Sequence, residues 1–322
     1  MKVGILGTGA YGLAISSLVR DNHHDVVMWT AFEEEKKLLV TKRENKTLLK
    51  GYTLDKNIEV TTDLKMVLNT CDLIFVVIPV AFISNVMKDV SKYVRDDNHF
   101  CIASKGIEQE TGFFVTDILE NSLNTKNIAV ISGPTFAVDL PNESPKGLTL
   151  ASYNDTTRSL VRSVLESKKI RLEDSDDVIG VEISGAIKNV IAISSGILDG
   201  IGVCASTKAM FLTKAMLDMR ELLTSLGGKE ETLITYAFFG DLYLTCTSKQ
   251  SRNYTYGILI GKGSKRRRKL YEETTTIEGL NTLKSIYHLL KDNKIKIPII
   301  TIIYNIVIRG HNEYEMVKYL ES

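Results

Sequence analysis

The chain has 322 residues, 44% of them apolar and 25% charged, with a formal net charge of +1. That length supports two domains and a sizeable core, and the mix excludes a disordered chain. The near-neutral balance argues against a surface built for nucleic acid.

The first apolar run, Lys2 to Leu6, predicts a short strand that leads straight into Gly7-Thr-Gly-Ala-Tyr-Gly12. A helical segment from Leu13 to Arg20 and a second strand from Val26 to Trp29 follow. In that strand–turn–helix–strand setting the glycine pattern has a physical meaning. Gly7 permits the tight turn, Gly9 bares the backbone to a pyrophosphate, and Gly12 lets the helix lie against the strand. The free amides at the helix start then face the phosphate charge. The segment predicts a Rossmann-like dinucleotide-binding fold. An acid at the end of the second strand binds the ribose of NAD, and a base there accepts the extra phosphate of NADP. Here Trp29 is followed by Thr30 and Ala31, and Glu33, Glu34 and Glu35 come slightly late, on what reads as an exposed helix face. The cofactor is therefore read as NAD or NADP, without a choice between them.

Further strands are expected from Asp72 to Ile78, stopped by Pro79, from Phe100 to Ser104, and from Ile128 to Ile131. The second of these runs into Lys105-Gly106 and the third into Ser132-Gly-Pro-Thr135. In an open parallel sheet, ligands bind beyond the carboxyl ends of the strands, which puts Lys105, Gly133 and Thr135 where site residues are expected. A surface-loop lysine is the competing reading of Lys105. Leu148 to Ala151 and Ile170 to Leu172 read as short strands closing the sheet.

The pattern changes at Asp174-Ser-Asp-Asp177, an acidic cluster that suits a helix start. It divides the chain into an α/β domain, residues 1–176, and an all-α domain, residues 177–322. Helices are expected over Val178–Ile197, Ala205–Leu226, Glu231–Phe239, Thr282–Lys291, Ile297 to about Ile308, and Glu313–Leu320. Glu182 to Ser195 is apolar around most of its circumference, with Lys188 on a stripe of small neighbours, Ser184, Ala192 and Ser195. A lysine that snorkels or sits in a structural ion pair and a lysine held in a cleft to move a proton both remain open on this stretch. Asp241, between apolar segments, should be partly buried and in need of a partner. Ser251-Arg252-Asn253 offers a hydroxyl, a guanidinium fork and an amide within three residues, which suits a phosphate. The basic run from Lys262 to Lys269 reads as a solvated loop.

The four cysteines fit no metal spacing, so reduced thiols and no metal are expected. The first apolar residues form a strand rather than a leader, and no apolar run reaches bilayer length, so the chain is expected in the cytoplasm.

Taken in order, these residues resemble the bacterial-type NAD(P)-dependent glycerol-3-phosphate dehydrogenases. The resemblance rests on Gly7–Gly12, Ser104-Lys-Gly106, Ser132–Ala137, Glu182 through Lys188-Asn-Val190, Gly240-Asp-Leu242 with Thr245-Cys246, Ser251-Arg-Asn253 and Ile277-Glu-Gly279. It implies hydride exchange between a nicotinamide cofactor and the dihydroxyacetone phosphate/glycerol 3-phosphate pair. It implies proton transfer by Lys188, with Lys105 and Asp241 as catalytic partners. It sets Lys105, Gly133, Thr135, Lys188, Asp241, Ser251, Arg252 and Asn253 around the substrate. It sets Gly7, Gly9, Ala10, Tyr11, Gly12, Lys105, Ala137, Arg252, Thr276 and Glu278 at the cofactor, and it implies a homodimer. Two segments depart from the family pattern. Cys204-Ala205-Ser206 stands where Gly-Asp-Asn is usual, and Thr235–Phe239 replaces a glycine-richer run, with added bulk expected behind Asp241. The alternatives are a related two-domain reductase of hydroxy acids and a dinucleotide-binding sensor without catalysis.

Overall fold

The structure, a computed structural model, describes residues 1–321. Two compact units form among the described residues: residues 1–105 with 115–178, and residues 106–114 with those from 179 onward.

Unit 1 alternates strand and helix: β1 Lys2–Leu6, α1 Ala10–Asp21, β2 Asp25–Trp29, α2 Glu33–Lys42, β3 Glu59–Thr61, α3 Leu64–Thr70, β4 Leu73–Val76, α4 Val80–Val90, β5 His99–Ile102, α5 Val115–Leu123, β6 Ile128–Ser132, β7 Lys146–Ser152, α6 Asp155–Leu165 and β8 Ile170–Ser175. The strands are short apolar runs, and β4 and β6 are buried at every residue, as a sheet covered on both faces requires. Side-chain caps set helix starts: Asp63 accepts from the Met66 amide ahead of α3, and Asn154 from the Thr157 amide ahead of α6. The eight strands lie in the order β3-β2-β1-β4-β5-β6-β7-β8. The chain leaves β1 in one direction for β2 and returns to its other side as β4, so a topological switch point falls at the end of β1.

Three expectations change here. The sheet is not wholly parallel: β7 runs antiparallel to β6, and β8 follows β7. No helix separates β6 from β7, and a crossover helix is what brings the chain back parallel. The three-residue β3 was too short to read as a strand. Helix α1 also starts at Ala10, one turn ahead of the expected Leu13, because Gly9 occupies the extended position before it.

Unit 2 is helical: α7 Val178–Ile201, α8 Ala205–Ser225, a 3₁₀ turn Glu230–Ile234, a π turn Tyr236–Gly240, α9 Asp241–Thr247, α10 Arg252–Gly261, α11 Lys265–Thr274, α12 Glu278–Asp292, α13 Pro298–Val307 and α14 Glu315–Glu321. Residues 106–114 belong with this unit, and Ile107 is buried in its core. Helix α7 is long and apolar enough to cross a bilayer, contrary to the sequence reading, but 94% of its apolar window is buried in protein. It is the axis of the helical core. The expected helix Glu231–Phe239 is instead the pair of short turns, and the expected basic loop is helix α11.

Candidate active site

Unit 1 builds its half from strand ends. Gly7 has φ +118°, a conformation open to glycine, and a Cβ there would meet the Val77 carbonyl. A Cβ on Gly12 would overlap the Gly7 carbonyl oxygen, so the start of α1 lies against the turn. A Cβ on Gly9 would meet nothing within 4 Å. Gly9 also precedes α1 without any side-chain cap, which leaves the first amides of the helix for an anion. A bare backbone, open space and a free helix start are what a dinucleotide pyrophosphate requires, so these residues suit that cofactor.

The neighbouring turn is tied to this one. The Tyr11 and Thr135 hydroxyls lie 2.9 Å apart in a hydrogen bond, joining the first turn of α1 to the segment after β6. A Cβ on Gly133 would come within 2.6 Å of the Gly147 carbonyl, so this turn lies flat on β7. Ala10, Tyr11 and Ala137 are partly buried against the unit 1 core. Ser104, which sequence reasoning used only as part of a motif, donates to the Ile78 carbonyl at 2.6 Å. It thereby fastens the end of β5, and so half-buried Lys105, to the end of β4.

Unit 2 builds its half on α7. Lys188 is 8% exposed and Asp241 fully buried, and the Lys188 ammonium donates to the Asp241 carboxylate. The other stripe residues turn inward, Ser184 donating to the Gly180 carbonyl and Ser195 to the Cys246 carbonyl. The Thr245 hydroxyl donates to the Asp241 carbonyl at 2.6 Å and reaches its carboxylate at 3.4 Å. Beside this pair, burial pushes the Cys246 thiol well above its ordinary range; the Lys188 cation opposes that rise and the Asp241 charge adds to it. The thiol therefore stays neutral next to the ion pair.

A second network adjoins Lys188 in sequence. The Asn253 amide donates to the Asn189 side-chain oxygen at 2.9 Å and accepts from the Gly279 N–H at 3.0 Å. Asn189 donates in turn to the Glu278 carboxylate at 3.3 Å. Arg252 is half-exposed, 3.8 Å from that carboxylate, so its guanidinium keeps donors for a ligand. Ser251 caps α10 by accepting from the Tyr254 amide. Thr276 lies exposed on the link between α11 and α12.

The predicted residues thus gather into two clusters, one in each unit. Asn189 and Thr245 complete the second cluster, and sequence reasoning gave neither a role. Their signals were adjacency, Asn189 next to Lys188 and Thr245 one helical turn after Asp241, and a place in the segments that carry the resemblance. The departures from the family pattern fall mostly outward: Cys204, Ala205 and Ser206 are exposed at the start of α8. Of the added bulk before Asp241, Phe238 enters the core while Tyr236 and Phe239 are 43% and 55% exposed.

A switch-point sheet with a phosphate-binding glycine turn, and a helical unit with a buried lysine–aspartate pair, define a nicotinamide-dependent oxidoreductase. Residues 2–158 match the N-terminal and residues 177–318 the C-terminal family profile of NAD-dependent glycerol-3-phosphate dehydrogenase. The chain belongs to that family. It is 34% identical to glycerol-3-phosphate dehydrogenase [NAD(P)+] of Bacillus pumilus, over 96% of this chain and 90% of the relative. It is also 34% identical to the enzyme of that name from Thermoanaerobacter sp., over 98% of this chain and 96% of the relative. Among solved structures, glycerol-3-phosphate dehydrogenase from Coxiella burnetii superposes with a TM-score of 0.93 at 27% identity, covering 100% of this chain and 98% of that one.

Proposed function

We propose that the chain reversibly reduces dihydroxyacetone phosphate to sn-glycerol 3-phosphate with NADH or NADPH, supplying glycerophospholipid synthesis. The observation that carries this reading is the buried Lys188–Asp241 pair, joined through Asn189 and Asn253 to an arginine with donors to spare. Gly7, Gly9, Ala10, Tyr11 and Gly12 would hold the dinucleotide, with Ala137, Thr276 and Glu278 in support. When bound, the nicotinamide supplies the hydride to the ketone carbon and takes it back in the reverse reaction.

The protein's part is charge and position. As the carbonyl becomes an alkoxide, Lys188 gives its oxygen a proton, and Asp241 holds the ammonium in place and balances its charge. In the oxidative direction Lys188 accepts that proton. Arg252 forks onto the substrate phosphate, with the start of α10 and the Ser251 hydroxyl adding donors. Asn253 spends its oxygen and one amide hydrogen on Gly279 and Asn189, so it chiefly positions Arg252 and has one hydrogen left for the phosphate. Binding energy from the remote phosphate then orients the carbonyl. Lys105, Gly133 and Thr135 complete the substrate set in this reading, and Lys105 supplies a second cation.

Oxidation of NADH or NADPH followed by absorbance tests the reaction, with dihydroxyacetone phosphate compared against small 2-keto acids. The proposal expects turnover with the phosphate ester alone. Turnover of the keto acids in its place would favour a hydroxy-acid reductase, and nucleotide binding without any turnover would favour a sensor. Arg252→Ala should raise KM for dihydroxyacetone phosphate at least ~10-fold, the loss expected for one charge-assisted bond. A cytoplasmic homodimer completes the proposal.

A further inference from the structure

The end of β2 carries information that the sequence alone left undecided. Thr30 is 3% exposed, and its hydroxyl donates to the Glu35 carboxylate at 2.6 Å while accepting from the Phe32 N–H at 3.3 Å. Glu35 lies in the first turn of α2, yet this bond draws its carboxylate back to the strand end, the position where a ribose-binding acid is needed. The Thr62 hydroxyl donates to the Glu33 carboxylate, and together with Lys36 holds that group below its usual range, so it stays anionic. No lysine or arginine occurs from Trp29 to Glu35. Among the next cations, Lys36 bonds Glu33 at 3.3 Å, Lys37 is exposed one residue further along α2, and the Arg43 guanidinium donates to the Ile58 carbonyl at 2.8 Å. The adjacent strand end at β3 is followed by Asp63. Ala31, the residue after Thr30, is exposed, so a phosphate-binding fork can replace its side chain.

We infer that this chain selects NADH over NADPH, with the Glu35 carboxylate, set by Thr30, accepting from the adenosine ribose hydroxyls and repelling a 2′-phosphate. The inference rests on the dinucleotide reading of Gly7–Gly12. A neutral ribose offers hydroxyl donors that suit an acceptor-only carboxylate. A 2′-phosphate offers acceptors and negative charge, which meets two anchored carboxylates. The preference therefore comes from a repulsive element as much as from an attractive one.

Calorimetric titration of the full-length protein with NADH and with NADPH tests this directly, independently of turnover. The expected result is an NADPH Kd at least ~10-fold above that of NADH, a difference of about 1.4 kcal/mol. Glu35→Gln should narrow the ratio at least ~3-fold, and Ala31→Arg should bring it to parity or reverse it by adding a phosphate fork. Because Ala31 is exposed, that variant keeps the test decisive even where Glu35→Gln folds poorly. Equal or tighter binding of NADPH by the wild type, or a ratio that neither variant moves, overturns the inference and leaves the dinucleotide reading standing. Binding of neither nucleotide would instead remove the dinucleotide reading itself.

Discussion

Lys188 and Asp241 lie almost wholly out of water and form a buried ion pair. Removing one partner takes this ion pair from the other. Asp241→Ala is expected to destabilise unit 2 by about 3–5 kcal/mol, read as a fall in its urea midpoint, and an unchanged midpoint would mean the pair is solvated. His99 makes a second, pH-dependent statement in unit 1. Burial holds its pKa below the ordinary histidine value, only partly opposed by Asp97 and Asp72, and its Nδ1 lies 2.7 Å from the Thr157 hydroxyl. The neutral ring is thus the folded form, and the unfolded chain takes up the proton first. This contribution is present above pH about 6.5 and lost as pH falls through the depressed folded value. His99→Asn should flatten the decline of the urea midpoint between pH about 7 and 5; an unchanged slope would contradict it. At this scale the chemistry was legible in part. A cation within an apolar helix and an acid between apolar segments both announce a need for partners. That they partner each other was not, because 53 residues separate them.

Helices α7 and α10 approach at backbone contact. A Cβ on Gly257 would overlap the Ile193 carbonyl oxygen, one on Gly261 the Ile197 carbonyl, and ones on Gly196 and Gly200 the carbonyls of Tyr254 and Ile258. Two glycines four apart on each helix make this crossing, and it sets Arg252 and Asn253 at the start of α10 beside Asn189 on α7. Gly257→Ala should therefore cost about 1–3 kcal/mol by overpacking and raise KM for the phosphate substrate, since α10 must shift. Wild-type stability and KM would show that the crossing tolerates a methyl group. Two elements misled the sequence reading for physical reasons. Thr235–Phe239 carries apolar residues at helix-like spacing, but the backbone widens into a π turn before Asp241, a feature with no periodic signature. The basic run looks too charged to fold, yet Arg268 and Lys269 pair with Glu272 and Glu273 one turn on, and Arg268 lies over the Tyr256 ring. Those four-residue pairs were present in the sequence as a helix signal.

At the scale of the whole chain, the order of α/β first and helices second was plain from the change of pattern near Asp177. The membership of residues 106–114 in unit 2 was not, because Ile107 finds its core only through contacts with distant helices such as the Ser285 hydroxyl on its carbonyl. The proposed homodimer predicts a light-scattering mass of twice 35.9 kDa, and a mass equal to one chain would contradict it. The central claim is that one buried ammonium moves the proton. Lys188→Ala, assayed for dihydroxyacetone phosphate reduction with nucleotide affinity measured on the same sample, tests it most directly. The expected result is a kcat lower by about 100-fold or more, the range of a lost acid–base group, with nucleotide affinity within about threefold of wild type. A variant that folds, binds the nucleotide and turns over at the wild-type rate would contradict it.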